Sequence, residues 1–205
     1  SQFFIESYSR YVPPKNCILS LPSEASTALR SKYTSETSDR SPLLVGISWQ
    51  GGGSKDRMAK KSINLMALLR SIDIDGVLFV SLQYGDDAKV VSNASTKTGV
   101  HVVHDDSMDP VSDFIGWLPQ VDAVDCVLTV ANTTVHAAAM LRKPTFCLVS
   151  NQSDWRWIDP SIYKGSYWYD NVQCSYQDKD GEWDSAMIDA KIWLKEQRSL
   201  LSVNN

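Results

Sequence analysis

From Leu43 onward the chain alternates two hydrophobic patterns. Short runs are apolar almost throughout: "LLVGISW" (43–49), "GVLFVSLQ" (76–83), "GVHVV" (99–103), "DCVLTVA" (125–131), "PTFCLVS" (144–150) and "NVQCSYQ" (171–177). Between them lie segments with apolar residues three or four apart: "INLMALLRSI" (63–72), "DDAKVVSNA" (86–94), "PVSDFIGWLPQV" (110–121), "TTVHAAAMLR" (133–142) and "DSAMIDAKIWLKEQRSLL" (184–201). The first pattern predicts strands and the second helices. Strands that are apolar on both faces, each followed by a helix, predict a parallel sheet covered on both sides. The expected fold class is α/β, a Rossmann-like doubly wound sheet of about six strands. In such sheets ligands bind beyond the carboxyl ends of the strands, so the residues just after each strand carry the functional information.

Residues 1–42 have a different character. They are rich in Ser, Thr and Pro, with one short helical candidate at Ser23–Tyr33. This composition suits a connecting segment, and we expect 1–42 to be the tail of an upstream domain plus a hinge. The Rossmann-like domain is expected over 43–205.

After the first strand comes "WQGGGSKDRMAKKS". The consecutive glycines Gly51, Gly52 and Gly53 let backbone approach a ligand closely. Lys55, Arg57, Lys60 and Lys61 behind them suit a phosphate, but a loop with solvated lysines fits the same residues. Neither GxxxxGK[ST] nor GxGxxG is present. After the second strand, Gln83 and Tyr84 would point into the crevice, but a simple strand-to-helix turn capped by Asp86 or Asp87 is the better fit to the same residues. The fourth strand runs into "ANTTVHAAAML". Asn132 or Thr133 can cap the following helix, whose first N–H groups and dipole suit an anion. Thr133 and Thr134 add hydroxyls there, and His136 lies one turn on. After the fifth strand comes an aromatic loop with Trp155, Arg156, Trp157, Tyr163, Tyr167, Trp168 and Tyr169. Such clusters mark binding surfaces as often as they pack a loop onto its sheet.

Composition narrows the field. The net charge of −4 argues against a broad nucleic-acid surface. No run reaches the roughly 18 apolar residues of a membrane helix, and no signal peptide is visible. The four cysteines, Cys17, Cys126, Cys147 and Cys174, form no metal-binding spacing; reduced, buried thiols in a cytoplasmic protein fit them best. His101 and His104 beside Asp105 and Asp106 lack a further ligand at a zinc-like spacing. No metal site is expected.

"ANTTVHAAAMLRKPTFCLV" and "SDWRWIDPSIYKGSYWYDNVQCSYQ", together with the upstream "LLVGISWQG" and "KKSINLMALLRSIDIDGVLFVSLQYG", resemble the C-terminal half of GT-B glycosyltransferases. The similarity is to the heptosyltransferase-like family 9 domain found in bacterial tetratricopeptide-repeat proteins, and it covers roughly Leu43 to Gln177. The resemblance implies a nucleoside diphosphate sugar as donor substrate, with no cofactor. It implies a phosphate-binding turn at Asn132, Thr133 and Thr134, with His136 on the following helix. Lys61 matches a basic position expected near the diphosphate, Gln83 lies at the nucleotide side, and Asp154, Trp155, Arg156 and Trp157 match the loop after the fifth strand, on a cleft or acceptor side. It places the catalytic base in an upstream Rossmann-like half, so the chain alone is expected to bind a donor without turnover. The acceptor, whether glycan, lipid or protein, is open. Departures are Ala131, where some relatives are acidic, and Ala139 and Arg142, where small residues are common; Gly would suit an αL cap at Arg142. Ala139 and Arg142 keep a second expectation in play, a non-catalytic nucleotide-binding or scaffold module. A third, a GT-B-like sugar-nucleotide epimerase, lacks visible acidic groups around a sugar.

Overall fold

The structure is a computed structural model that describes residues 19–85, 87–152, 156–157 and 166–203. It contains the six expected strands: β1 (Leu43–Ser48), β2 (Val77–Ser81), β3 (Val102–Val103), β4 (Cys126–Val130), β5 (Thr145–Val149) and β6 (Val172–Tyr176). They form one sheet in the order β3-β2-β1-β4-β5-β6, with every pairing parallel. The chain winds outward from β1 to β3, then returns to build β4 to β6 on the other side. The switch point therefore lies between the carboxyl ends of β1 and β4, where Ile47 pairs with Leu128 and Ser48 with Thr129.

Seven helices flank the sheet among the described residues: α1 (Ser23–Thr34), α2 (Lys55–Lys61), α3 (Leu65–Ile72), α4 (Ala88–Thr98), α5 (Phe114–Ala123), α6 (Thr133–Met140) and α7 (Asp184–Val203). Side-chain alternation divides the core. Val45, Ile47 and Phe79 face α3, α4 and α7, while Leu44, Leu78 and Val80 face α1, α5 and α6. Among the described residues no helix is long and apolar enough to cross a membrane.

Three elements differ from the expected pattern. Helix α5 begins at Phe114, capped by Asp113, rather than at Pro110. The stretch after Gly53 contains α2, which the hydrophobic pattern does not show because "KDRMAKK" buries nothing. Its charges explain it: Asp56 stands in the first turn and Lys60 and Lys61 in the last, each complementing the helix dipole. Helix α4 runs four residues further than expected, through a polar tail to Gly99, which takes the αL conformation at φ 76°.

Helix α1, within the segment expected upstream of the domain, packs on α5 and the sheet. Tyr33 is fully buried beside Leu44 and Trp117. Arg30 Nη1 donates to the Ala123 carbonyl at 3.0 Å and pairs with Asp125 at 2.9 Å. Lys32 pairs with the buried Asp105 at 2.7 Å. Tyr33 Oη also donates to Asp105, at 3.1 Å. Burial opposes ionisation of Asp105, but the hydrogen bonds from Lys32, Ser107 and Tyr33 outweigh it and hold its pKa below the usual carboxylate value.

Candidate functional site

The carboxyl ends of β1, β2 and β4 are held together by a run of polar contacts. Asn132 caps α6, its Oδ1 accepting from the Thr134 N–H at 2.9 Å. Its Nδ2 donates to Ser48 Oγ at 2.7 Å and to the Gln50 carbonyl at 3.0 Å. Ser48 Oγ in turn donates to Gln83 Oε1 at 2.9 Å. That oxygen also accepts from the Trp49 and Gln50 N–H groups, at 3.0 and 2.9 Å. Gln83 is only 4% exposed. It forms the floor of the crevice and ties the tip of β1 to that of β2.

Above this floor a cavity of about 380 Å³ opens at the switch point. Its described lining is Gly52, Tyr84, Ala131, Asn132, Thr133, His136, Arg156 and Trp157. A second cavity of about 250 Å³ adjoins it, lined by His136, Arg156, Trp168 and Tyr169. His136 and Arg156 belong to both. Thr133, in the first turn of α6, is exposed into this space, while Thr134 is buried with its N–H given to the cap. The fold thus brings Asn132, Thr133, His136, Gly52, Arg156 and Trp157 together. Trp155 and Asp154 lie outside the described residues.

Lys61 and Gly51 sit behind the described lining. Gly51 is buried and its N–H donates to Ser62 Oγ at 3.0 Å. A Cβ added to Gly51 would come within 2.6 Å of the Lys61 Cβ, so the end of α2 rests directly on this glycine. Lys60 reaches across to Gln152 Oε1 at 3.0 Å and Asp180 Oδ2 at 3.3 Å, tying α2 to the loops after β5 and β6. Lys60 is thereby used in bracing these loops.

The His136 ring is clamped. Trp157 stacks on it with centroids 6.0 Å apart and planes 26° from parallel. Tyr169 tilts against it at 5.8 Å, with its hydroxyl 3.1 Å from Nδ1. Burial raises the Tyr169 pKa, which the Arg156 charge partly opposes. Burial, and then the charge of Asp87, raise that of Tyr84. Both rings stay protonated at neutral pH. Sequence spacing does not reveal Tyr169 as the partner of His136, nor Ser48 as the link between Asn132 and Gln83. A serine closing an otherwise apolar strand is the one visible hint of the latter.

At the far end of α6, Arg142 adopts φ 60°, the left-handed conformation that the sequence suggested Gly would suit. Arg142 N donates to Ala139 O at 3.1 Å and Lys143 N to Ala138 O at 3.0 Å, a Schellman closure built without glycine. The Arg142 guanidinium pairs with Asp170, the residue after Tyr169.

The chain is similar to several known proteins. Over 112 residues, 55% of this chain, it is 30% identical to protein FlbA of Caulobacter vibrioides, of whose length that match spans 18%. A glycosyltransferase family 9 structure from Veillonella parvula superposes with a TM-score of 0.55 at 11% identity, covering 91% of this chain and 54% of that one. Escherichia coli ADP-heptose LPS heptosyltransferase II gives 0.54 at 13% identity, covering 93% and 56%. Escherichia coli heptosyltransferase WaaC, solved with ADP, gives 0.53 at 11%, covering 82% and 48%. The chain thus spans about half the length of these solved structures. No family model matches it. The single parallel six-stranded sheet with its flanking helices is Rossmann-like and shared with glycosyltransferase family 9 and heptosyltransferase structures, which makes this a glycosyltransferase-like domain in fold.

Proposed function

We propose that this domain is the donor-binding half of a glycosyltransferase and holds a nucleoside diphosphate sugar for metal-independent transfer. The observation that carries the proposal is the cavity at the β1/β4 switch point. There the exposed first turn of α6 at Thr133, the Gly52 backbone, His136 and Arg156 converge on one space. Cleaving a sugar–phosphate bond leaves growing negative charge on the diphosphate, and fixed donors stabilise that charge most where water is excluded. A helix N-terminus supplies unpaired N–H groups and a favourable dipole, and the arginine supplies a fork of donors. Lys61, resting against Gly51 at the end of α2, adds a flanking cation. The general base and the acceptor site belong to a second Rossmann-like half, so this chain binds donor without turning it over. The acceptor is a glycan, a lipid or a protein, and helical repeats are candidate companions in a longer chain.

Calorimetry with ADP, UDP, GDP and CDP and their sugar conjugates tests the proposal. One nucleotide class should bind, and Thr133→Ala, Arg156→Ala and Lys61→Ala should each weaken it about tenfold, a loss of about 1.4 kcal/mol. Equal affinity in all three variants refutes the assignment, and turnover by the chain alone refutes the need for a second half. Silence across the whole panel favours a scaffold module, for which the specific observation is Ala131, a side chain without polar atoms in the cavity wall.

A further inference from the structure

We infer that Tyr169 is a positioning residue that fixes the neutral form of His136 as its Nε2–H tautomer, so that Nε2 rather than Nδ1 is the N–H donor of that ring. The ligand's identity rests on the donor-binding proposal above; the state of the ring is a property of the free protein. The two ring nitrogens of a histidine are not equivalent, and the partner of one decides which carries the proton. Here the partner of Nδ1 is the Tyr169 hydroxyl, at 3.1 Å.

The direction of that hydrogen bond follows from the surroundings. A phenol brings one proton that needs an acceptor when water is scarce. Tyr169 is half-buried, and its burial keeps the phenol protonated at neutral pH. The other described residues lining the same cavity are Arg156 and Trp168. Guanidinium and indole N–H groups donate and do not accept. His136 Nδ1 is therefore the acceptor for the phenolic proton within this group. A neutral ring that accepts at Nδ1 carries its own proton at Nε2.

The clamp fixes orientation as well as tautomer. Trp157 covers one face of the ring and Tyr169 meets it at a tilt, which leaves the imidazole little freedom to rotate. His136 lines both cavities, so the tautomer decides which ring nitrogen offers an N–H group at this site. A fixed donor suits an anionic oxygen and needs no protonation of the ring. The arrangement is a carboxylate-free version of the oriented histidine found in many sites, with a phenol in the orienting place.

The test is a long-range proton–nitrogen spectrum of the protein labelled with 15N-histidine. His136→Gln identifies the His136 signals among those of His101 and His104. At a pH where the ring is neutral, His136 should show the Nε2–H pattern. Tyr169→Phe keeps the ring and its packing, and should lower the ratio of the Nε2–H to the Nδ1–H form about fivefold, the contribution of one hydrogen bond. A majority Nδ1–H form in the parent protein overturns the inference, and so does an unchanged ratio in Tyr169→Phe. An ADP titration of the same samples keeps the two claims apart. If ADP and the other diphosphates leave His136 unmoved, donor binding fails while the tautomer result stands.

Discussion

Replacing Gln83 by methionine should destabilise the domain more than any other change at the crevice that preserves volume. Met matches Gln in length and shape, so the transfer and cavity losses of a truncation do not arise. What disappears is one oxygen that accepts from Ser48 Oγ, Trp49 N and Gln50 N. Ser48 is 1% exposed and Trp49 2%, so water cannot replace the lost acceptor for those two donors. The half-buried Gln50 amide can recover a water. Two buried donors left unpaired cost about 1–3 kcal/mol each, which puts the expected loss at about 2–6 kcal/mol. For a domain of this size, at about 2–4 °C per kcal/mol, that corresponds to a fall in Tm of roughly 4–24 °C. Urea unfolding with a shared m-value measures it directly. Ser48→Ala removes a neighbouring link of the same run, so the double variant Ser48→Ala/Gln83→Met should be less destabilised than the sum of the singles by about 1 kcal/mol. A Gln83→Met loss under about 1 kcal/mol, or strict additivity with Ser48→Ala, would show that these hydrogen bonds do not act as one unit.

Three further outcomes can be measured alongside. Gly51→Ala should cost about 1–3 kcal/mol in urea unfolding, because its Cβ meets the Lys61 Cβ and the end of α2 must move away; loss of nucleotide affinity should accompany it. Arg142→Gly should stay within about 1 kcal/mol of the parent, since relief of the left-handed backbone offsets loss of a part-exposed ion pair. Arg142→Val should fall about 1–2 kcal/mol lower than the glycine variant, as a β-branched residue tolerates φ 60° worst. Asp105, whose folded pKa lies below its unfolded value of about 3.9, contributes stability fully above that value; the contribution fades as pH drops through the folded pKa. Acid unfolding of Asp105→Asn should therefore begin from lower stability at pH 6 and show a shallower slope below pH 4.

The sheet was legible because parallel strands bury both faces and so read as unbroken apolar runs. The long helices were legible because each offers one apolar stripe. Helix α2 was not, having no buried side chain to create a period. The packing of α1 was also invisible: a single buried tyrosine and two ion pairs reaching Asp105 and Asp125, over 70 and 90 residues away, leave no local signature. At the site, the turn from Asn132 to His136 stood out because a capped helix after a buried strand has an obvious electrostatic meaning. The Tyr169 contact to His136 spans 33 residues and arises from the loop between β5 and β6, whose path no periodicity predicts. Arg142 was visible as a residue in the place of a glycine, and the αL backbone there is the physical reason a glycine would fit.

What sequence could not separate is which polar residues at the strand ends serve the fold and which serve a ligand. Gln83, Asn132, Thr133 and Thr134 look equivalent on paper, each a polar group just beyond a buried strand. In the structure, Gln83 and the amide of Asn132 are spent on neighbouring backbone and on Ser48, and the Thr134 N–H is spent on the cap. Thr133 remains exposed in the cavity. Under the donor-binding proposal the division has a physical purpose. A donor array stabilises developing charge only if it does not have to reorganise, and the tips of β1, β2 and β4 are joined by loops that would otherwise drift. Polar groups consumed in the floor fix the distance between the α6 N-terminus and the glycine loop. The two sets should therefore separate experimentally: floor variants lower stability and affinity together, whereas Thr133→Ala lowers affinity at constant Tm. A Thr133→Ala variant that melts several degrees early would place that residue with the floor and leave the α6 turn without its exposed side-chain donor.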